Sequence, residues 1–183
     1  MLRFIRRRAL NGFTLIEVMA VTAIMSTLNS QSGGFRYAIE KANEVKGISN
    51  LKQIHMMLQI GDLPKAAFYP KGDPKTDPTS IVRLIPDAPQ ELFVSPFAPE
   101  ALKKKGLTFA WNDAVGGKDI SMLPKDTWLL IDLAAFIADP KIPKPHRYLI
   151  LYADGRALAV DGLPADIDKV VKEAQAKLKK EQK

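Results

Sequence analysis

The chain has 183 residues, of which 46% are hydrophobic and 26% charged, a composition typical of a folded protein rather than a disordered one. Its formal charge is +7, but residues 1–12 contain four arginines and no acid, so the remainder carries only +3 and a nucleic-acid partner is not favoured. The absence of Cys excludes disulfides, thiolate metal sites and cysteine nucleophiles, and two histidines exclude a His-rich metal site.

The first thirty residues have the order of an export signal. Residues 1–12 are short and arginine-rich, and residues 13–28 are apolar apart from Glu17. The arginines are expected to stay in the cytoplasm. Sixteen helical residues span roughly 24 Å, less than the ~30 Å of a hydrocarbon core, which predicts a helix that enters a membrane but is held there weakly. An ordinary secretory signal, cut within Ser26–Gly34, is the alternative.

The segment Gly12–Val18, which reads GFTLIEV, resembles the processing site of type IV pilins and type II secretion pseudopilins. The resemblance covers the basic leader, seven consecutive residues and the apolar run behind them. It implies that prepilin peptidase cuts after Gly12 and methylates Phe13, and that Glu17 is the assembly carboxylate. The implied fold is α+β and pilin-like: a long N-terminal α-helix, with an apolar and an amphipathic half, packed on a small antiparallel β-sheet.

The chemistry of Glu17 supports this role independently. A carboxylate at the centre of a membrane span costs about 2.5–3.5 kcal/mol and therefore requires a partner. After cleavage, the amine of Phe13 on a neighbouring subunit can supply the opposite charge, which favours a stack of parallel helices. The alternative is that Glu17 reaches back to the lipid headgroups and has no role in assembly.

Residues 35–60 continue with helical periodicity. Apolar residues recur at steps of three and four and form one stripe: Phe35, Ile39, Ala42, Val45, Ile48, Leu51, Ile54 and Leu58. Gly61 and Pro64 are predicted to end this helix. Many pilins have a proline near the position of Gly33–Gly34, and the two glycines predict either a bend or a linker. Ser49–Ile54 also weakly resembles the stalk of pseudopilin-like proteins of planctomycetes and verrucomicrobia.

Residues 61–161 are predicted to form a loop-rich region followed by an antiparallel sheet. Eight prolines between residues 61 and 100 leave room for only a short helix around Thr79–Ile85. Asp154-Gly155 between two apolar runs predicts a tight hairpin turn. The sheet should have three or four strands, with candidates at Leu107–Trp111, Thr127–Leu133, Tyr148–Ala153 and Arg156–Val160.

Residues 162–183 are predicted to form a C-terminal amphipathic helix that begins near Pro164 and ends in a charged tail. Its apolar side should consist of Ile167, Val170, Val171, Ala174 and Leu178. The tail, Lys177–Lys183, is interpreted as a solvated terminus rather than as a contact to lipid or DNA.

No sequence motif predicts catalysis or a cofactor. Gly116-Gly117-Lys118 lacks the other residues of a phosphate-binding loop. Calcium binding is possible but is not indicated, because the candidate acids are scattered: Asp113, Asp119, Asp126 and Asp161. His146 precedes Asp154-Gly155 with seven intervening residues, shorter than the nine of the planctomycete-type proteins, and it is most simply a loop or strand-edge residue. The chain is expected to be a substrate of enzymes and not itself an enzyme.

The predicted organisation has five segments: a cleaved leader (1–12), an apolar membrane and assembly helix (13–34), an amphipathic helix (35–60), the loop-rich region with its sheet (61–161) and the C-terminal helix (162–183). The expected function is a subunit of a type IV pilus or a type II secretion pseudopilus. Its partners would be prepilin peptidase, other pilin or pseudopilin subunits, an inner-membrane platform with its motor, and lipid before assembly. The expected location is the bacterial inner membrane, crossed once, with the head outside and then in a periplasmic or extracellular filament. The alternative function is a non-polymerising membrane-anchored protein whose head binds a ligand or partner.

Overall fold

The computed structural model describes residues 15–137, 141 and 144–181, with side chains left out for residues 15–33, 35, 174–175 and 177–181. The chain divides into two units, residues 1–41 and residues 42–183. The fold is α+β, and its four-stranded antiparallel sheet lies in the second unit. The described helices are α1 (Leu15–Leu58), α2 (Ile81–Leu84), α3 (Glu100–Lys103) and α4 (Ala165–Glu181). The strands are β1 (Phe109–Trp111), β2 (Trp128–Asp132), β3 (Tyr148–Tyr152) and β4 (Ala157–Val160).

The sheet is a simple meander in which each strand pairs with its neighbour in the chain. The strand order is β1-β2-β3-β4, and all three pairings are antiparallel. The four strand predictions are therefore confirmed, each within two residues of the observed bounds. The short helix predicted around Thr79–Ile85 is also confirmed, as α2.

Both faces of the sheet are buried. In β3, Leu149 and Leu151 lie in the core that includes the last turns of α1, whereas Ile150 and Tyr152 lie in a second core with α4. This follows from the two-residue period of a strand. Because each face is covered, β1 and β2 are buried along their whole length instead of alternating between buried and exposed.

The buried face of α1 differs in part from the predicted stripe. Its core residues within the second unit are Gly47, Asn50, Leu51, Ile54, His55 and Leu58. Ile39 and Val45, which the stripe placed on the covered face, are 45% and 67% exposed, and Ala42 is exposed as well. The prediction was wrong at these three positions because periodicity shows that a helix has an apolar side, not that another element covers it.

The turn between β3 and β4 is a hairpin, as predicted, and residues 153–155 form its loop inside the hydrogen-bonded pair of Tyr152 and Arg156. Tyr152 N–H donates to Arg156 O at 2.9 Å, and Gly155 N–H donates to Tyr152 O at 3.0 Å. Gly155 has φ +83°, whereas no non-glycine residue of the described chain, Asp154 included, has a positive φ. The geometry is that of a turn closed by one left-handed glycine, so only Gly155 requires the conformational freedom of glycine.

The C-terminal helix is confirmed as α4. Ile167 and Val171 are buried in the second core. Val170 was predicted to share their side but is 38% exposed and is not part of that core. The side chains of Ala174 and Leu178 are outside the described set.

Candidate functional site

The predicted processing site lies at the edge of the described structure. Gly12 and Phe13 are outside the described residues. Glu17 lies in the first turn of α1, where only the backbone is described. Within the described part of the chain, none of the helices has the length and apolar character that crossing a membrane requires.

The acids considered for calcium do not come together. Asp119 accepts hydrogen bonds from the N–H and the hydroxyl of Ser121, at 2.8 and 2.7 Å. Asp126 pairs with Arg156, and Asp161 lies 2.8 Å from Arg147 Nε. Among the residues described, no group of three or more acidic or histidine side chains is placed to hold a metal ion. His146 is exposed in a bend before β3, which confirms its prediction as a loop residue.

Two buried polar residues were not singled out by the sequence. His55 is 7% exposed, and its Nε2 lies 3.0 Å from Ala153 O. Asp132, at the end of β2, is fully buried and accepts a hydrogen bond from Leu149 N–H. Burial raises the pKa of Asp132 to about 7, and the hydrogen bonds from Leu149 and Ser95 oppose that rise. The available signal was an acid within the apolar run WLLIDL, which indicates a buried carboxyl.

An ion-pair network joins α1 to the sheet within the second unit. The guanidinium of Arg147 contacts the carboxylates of Glu44 and Asp161 and donates to Ala159 O at 3.1 Å. Glu44 and Arg147 are only 18% and 27% exposed, so solvent screens their pairing incompletely. Within the second unit, these contacts attach the part of α1 around Glu44 to the β3–β4 hairpin.

A basic cavity of about 690 Å³ opens on the surface of the second unit. Its walls come from residues 69–75, from residues 103–106, and from Gln90, Glu91 and Val94. The walls contain five lysines and two acids, so their formal charge is +3: Lys71, Lys75, Lys103, Lys104 and Lys105, with Asp73 and Glu91. The sequence showed the lysines as two separate groups and did not indicate that they share a cavity.

Comparisons of the chain with models of protein families, with curated proteins and with solved structures return no match.

Proposed function

We propose that this chain is a prepilin-like structural subunit, processed after Gly12 and assembled into a type IV pilus or a type II secretion pseudopilus. The observation that carries the proposal is the segment Gly12–Val18 behind an arginine-rich leader. A free Phe13 amine and the Glu17 carboxylate on adjacent subunits would pair in an apolar surrounding, where an unpaired carboxylate is costly.

The architecture supports a pilin-like arrangement. The bounds of α1 begin two residues after Phe13 and include Gly33 and Gly34, which favours a bend within the helix over a linker. The last turns of α1 pack on a small antiparallel sheet through Leu51 and Ile54. A helix of this kind can present one end to a filament core while its other end is built into a folded head.

Mass spectrometry of the mature N-terminus tests the proposal. The full chain would be expressed in a bacterium that has a prepilin peptidase and purified from its membranes. We expect a first residue of N-methylated Phe13. An intact Met1 would support the non-polymerising anchored protein, and a start beyond Ser26 would indicate an ordinary secretory signal.

A Gly12→Val variant makes the test specific to the cut site, because a bulky residue should block the peptidase. We expect this variant to remain at full length in the membrane. Asn11→Ala, immediately outside the matching segment, is the control and should be processed normally. Mature protein of normal size from Gly12→Val contradicts the proposed processing.

The alternative function is that of a non-polymerising anchored protein whose head binds a ligand or partner. The basic cavity supports the ligand-binding part of this alternative. A binding head and a filament subunit are compatible, since the cavity lies in the second unit and the processing segment in the first. The mature N-terminus and the presence of filaments distinguish the two functions, and the Glu17 variant described below tests assembly.

A further inference from the structure

The positive charge of the chain is unevenly distributed after residue 12. That part of the sequence has 23 basic and 20 acidic residues, a surplus of +3. The walls of the basic cavity also carry +3. The rest of the chain after residue 12 is therefore balanced in formal charge, and the cavity walls carry a local excess of positive charge.

Local backbone structure holds the lysines in place on one side of the cavity. Asp73 Oδ1 accepts the N–H of Lys75 at 2.9 Å, and Asp77 Oδ2 accepts the N–H of Gly72 at 2.9 Å. These bonds close the loop that carries Lys71 and Lys75. The carboxylate of Asp73 is thus engaged with the backbone of the loop.

A second turn holds the lysines opposite. Lys103, Lys104 and Lys105 follow one another at the end of α3, and Gly106 completes the turn with φ +74°. Gln90 Nε2 donates to Gly106 O at 3.2 Å. The positive φ favours glycine at position 106, and a Cβ there would lie 1.9 Å from Gln90 Nε2 and displace the end of that side chain.

Few of these positive charges are neutralised by the protein. Lys103 pairs with Glu100 at 2.8 Å. No salt bridge in the described part of the chain involves Lys71, Lys75 or Lys105. Ammonium groups around one opening repel each other over distances comparable to the screening length of about 8–10 Å, and a bound anion relieves that repulsion.

The chemistry of the walls indicates the class of anion. Lysine binds an anion as a compact point charge, without the fixed paired N–H groups that arginine offers to carboxylate and phosphate alike, and no arginine lines this cavity. Several point charges around one opening favour an anion of high charge density, which an anion with several phosphate groups provides. A volume of about 690 Å³ is that of a small-molecule site. We propose that the basic cavity binds a small anion carrying two or more phosphate groups, either free in solution or as the headgroup of a phospholipid.

Isothermal titration calorimetry of the full-length protein in a non-ionic detergent tests this proposal, with inorganic tripolyphosphate as the probe. We expect saturable binding at one site that weakens as salt is added, and weaker binding of citrate, which carries carboxylates only. In Lys75→Gln/Lys104→Gln the affinity for tripolyphosphate should fall by about tenfold or more, since two charged contacts are removed.

The matched control is Lys52→Gln/Lys169→Gln, which removes the same net charge from exposed positions outside the cavity. Its affinity should stay within about twofold of that of the unmodified protein. An equal loss in both double variants, or no saturable binding, overturns the proposal. Mixed micelles containing phosphatidic acid identify the source of the phosphate: competition with tripolyphosphate indicates a lipid headgroup, and its absence indicates a free anion.

Discussion

His55 Nε2 lies 3.0 Å from Ala153 O, which joins the last turn of α1 to the loop of the β3–β4 hairpin. The same ring contacts Gly155, where an added Cβ would lie 2.9 Å from His55 Cε1. The side chain of His55 therefore attaches the end of α1 to the hairpin and also limits the space for a side chain at position 155.

Gly155→Ala should lower the melting temperature. The substitution places a side chain at φ +83°, which costs roughly 1–2 kcal/mol, and forces the new methyl group against the His55 ring. The fluorescence of Trp111 and Trp128 reports unfolding of the sheet directly, because both tryptophans are buried in it.

Gly162→Ala is the control for this prediction, since no atom lies within 4 Å of the Cβ it would add. It should leave the melting temperature unchanged. In a His55→Ala background, Gly155→Ala should cost less than in the unmodified protein, because only the backbone strain remains. Equal costs in the two backgrounds contradict the contact between His55 and Gly155.

Gly47→Ala should also destabilise the second unit, although alanine favours a helix by about 1 kcal/mol. The added Cβ would lie 2.3 Å from Cδ1 of Leu149, which is fully buried and has little room to move. Overpacking of this kind costs about 1–3 kcal/mol, enough to outweigh the gain in helix propensity. Thermal unfolding followed by tryptophan fluorescence is the measurement.

Gly34→Ala is a matched control within the same helix, because a Cβ there has no neighbour within 4 Å. It should not lower the melting temperature. If Gly47→Ala is equally harmless, the close approach of α1 to β3 at Leu149 is incorrect.

Asp132→Asn should change how stability depends on pH. The pKa of Asp132 is raised from 3.8 to about 7, so in that interval the folded protein holds more protons than the unfolded chain. Asp132 makes its full contribution to the free energy of unfolding below about pH 4. This contribution falls as the pH rises to about 7 and is absent at higher pH. The unmodified protein should lose on the order of 2 kcal/mol from this source between about pH 5 and pH 8.

The neutral asparagine removes that dependence, so denaturant titrations at the two pH values should show the variant gaining relative to the unmodified protein as pH rises. Other carboxyls with shifted pKa values, Asp77 and Asp119 among them, have lowered pKa values and are ionised throughout this range. A difference between the two proteins that does not vary with pH argues against a protonated, buried Asp132.

Glu17→Ala tests assembly. Removing a charge from an apolar segment should leave membrane insertion and cleavage after Gly12 intact, whereas incorporation into filaments should fall because the Phe13 amine loses its partner. The measurement is the partition of the protein between sheared filaments and membranes at equal expression. Incorporation at the level of the unmodified protein would favour the interpretation in which Glu17 only reaches the headgroups.

Much of the fold could be predicted from local signals. Apolar runs identified all four strands, Asp154-Gly155 identified the hairpin, and Gly61 marked the end of α1. These signals act within a few residues, through side-chain period and the φ angle that glycine permits, so they are present in the sequence itself. The processing motif at Gly12–Val18 is of the same kind, a pattern contained in one short segment.

The tertiary structure decided what depends on residues far apart in the chain. It covers α1 from Gly47 onward but leaves Val45 exposed, and it buries Asp132, which accepts a hydrogen bond from β3. It also brings Lys71 and Lys75 to the same cavity as Lys103–Lys105. About thirty residues separate those two lysine groups, and no local preference acts over that length. Burial, and the grouping of lysines from separate segments, arise only when distant segments pack together. The apolar stripe of α1 was therefore predicted too long, and the basic cavity was not predicted at all.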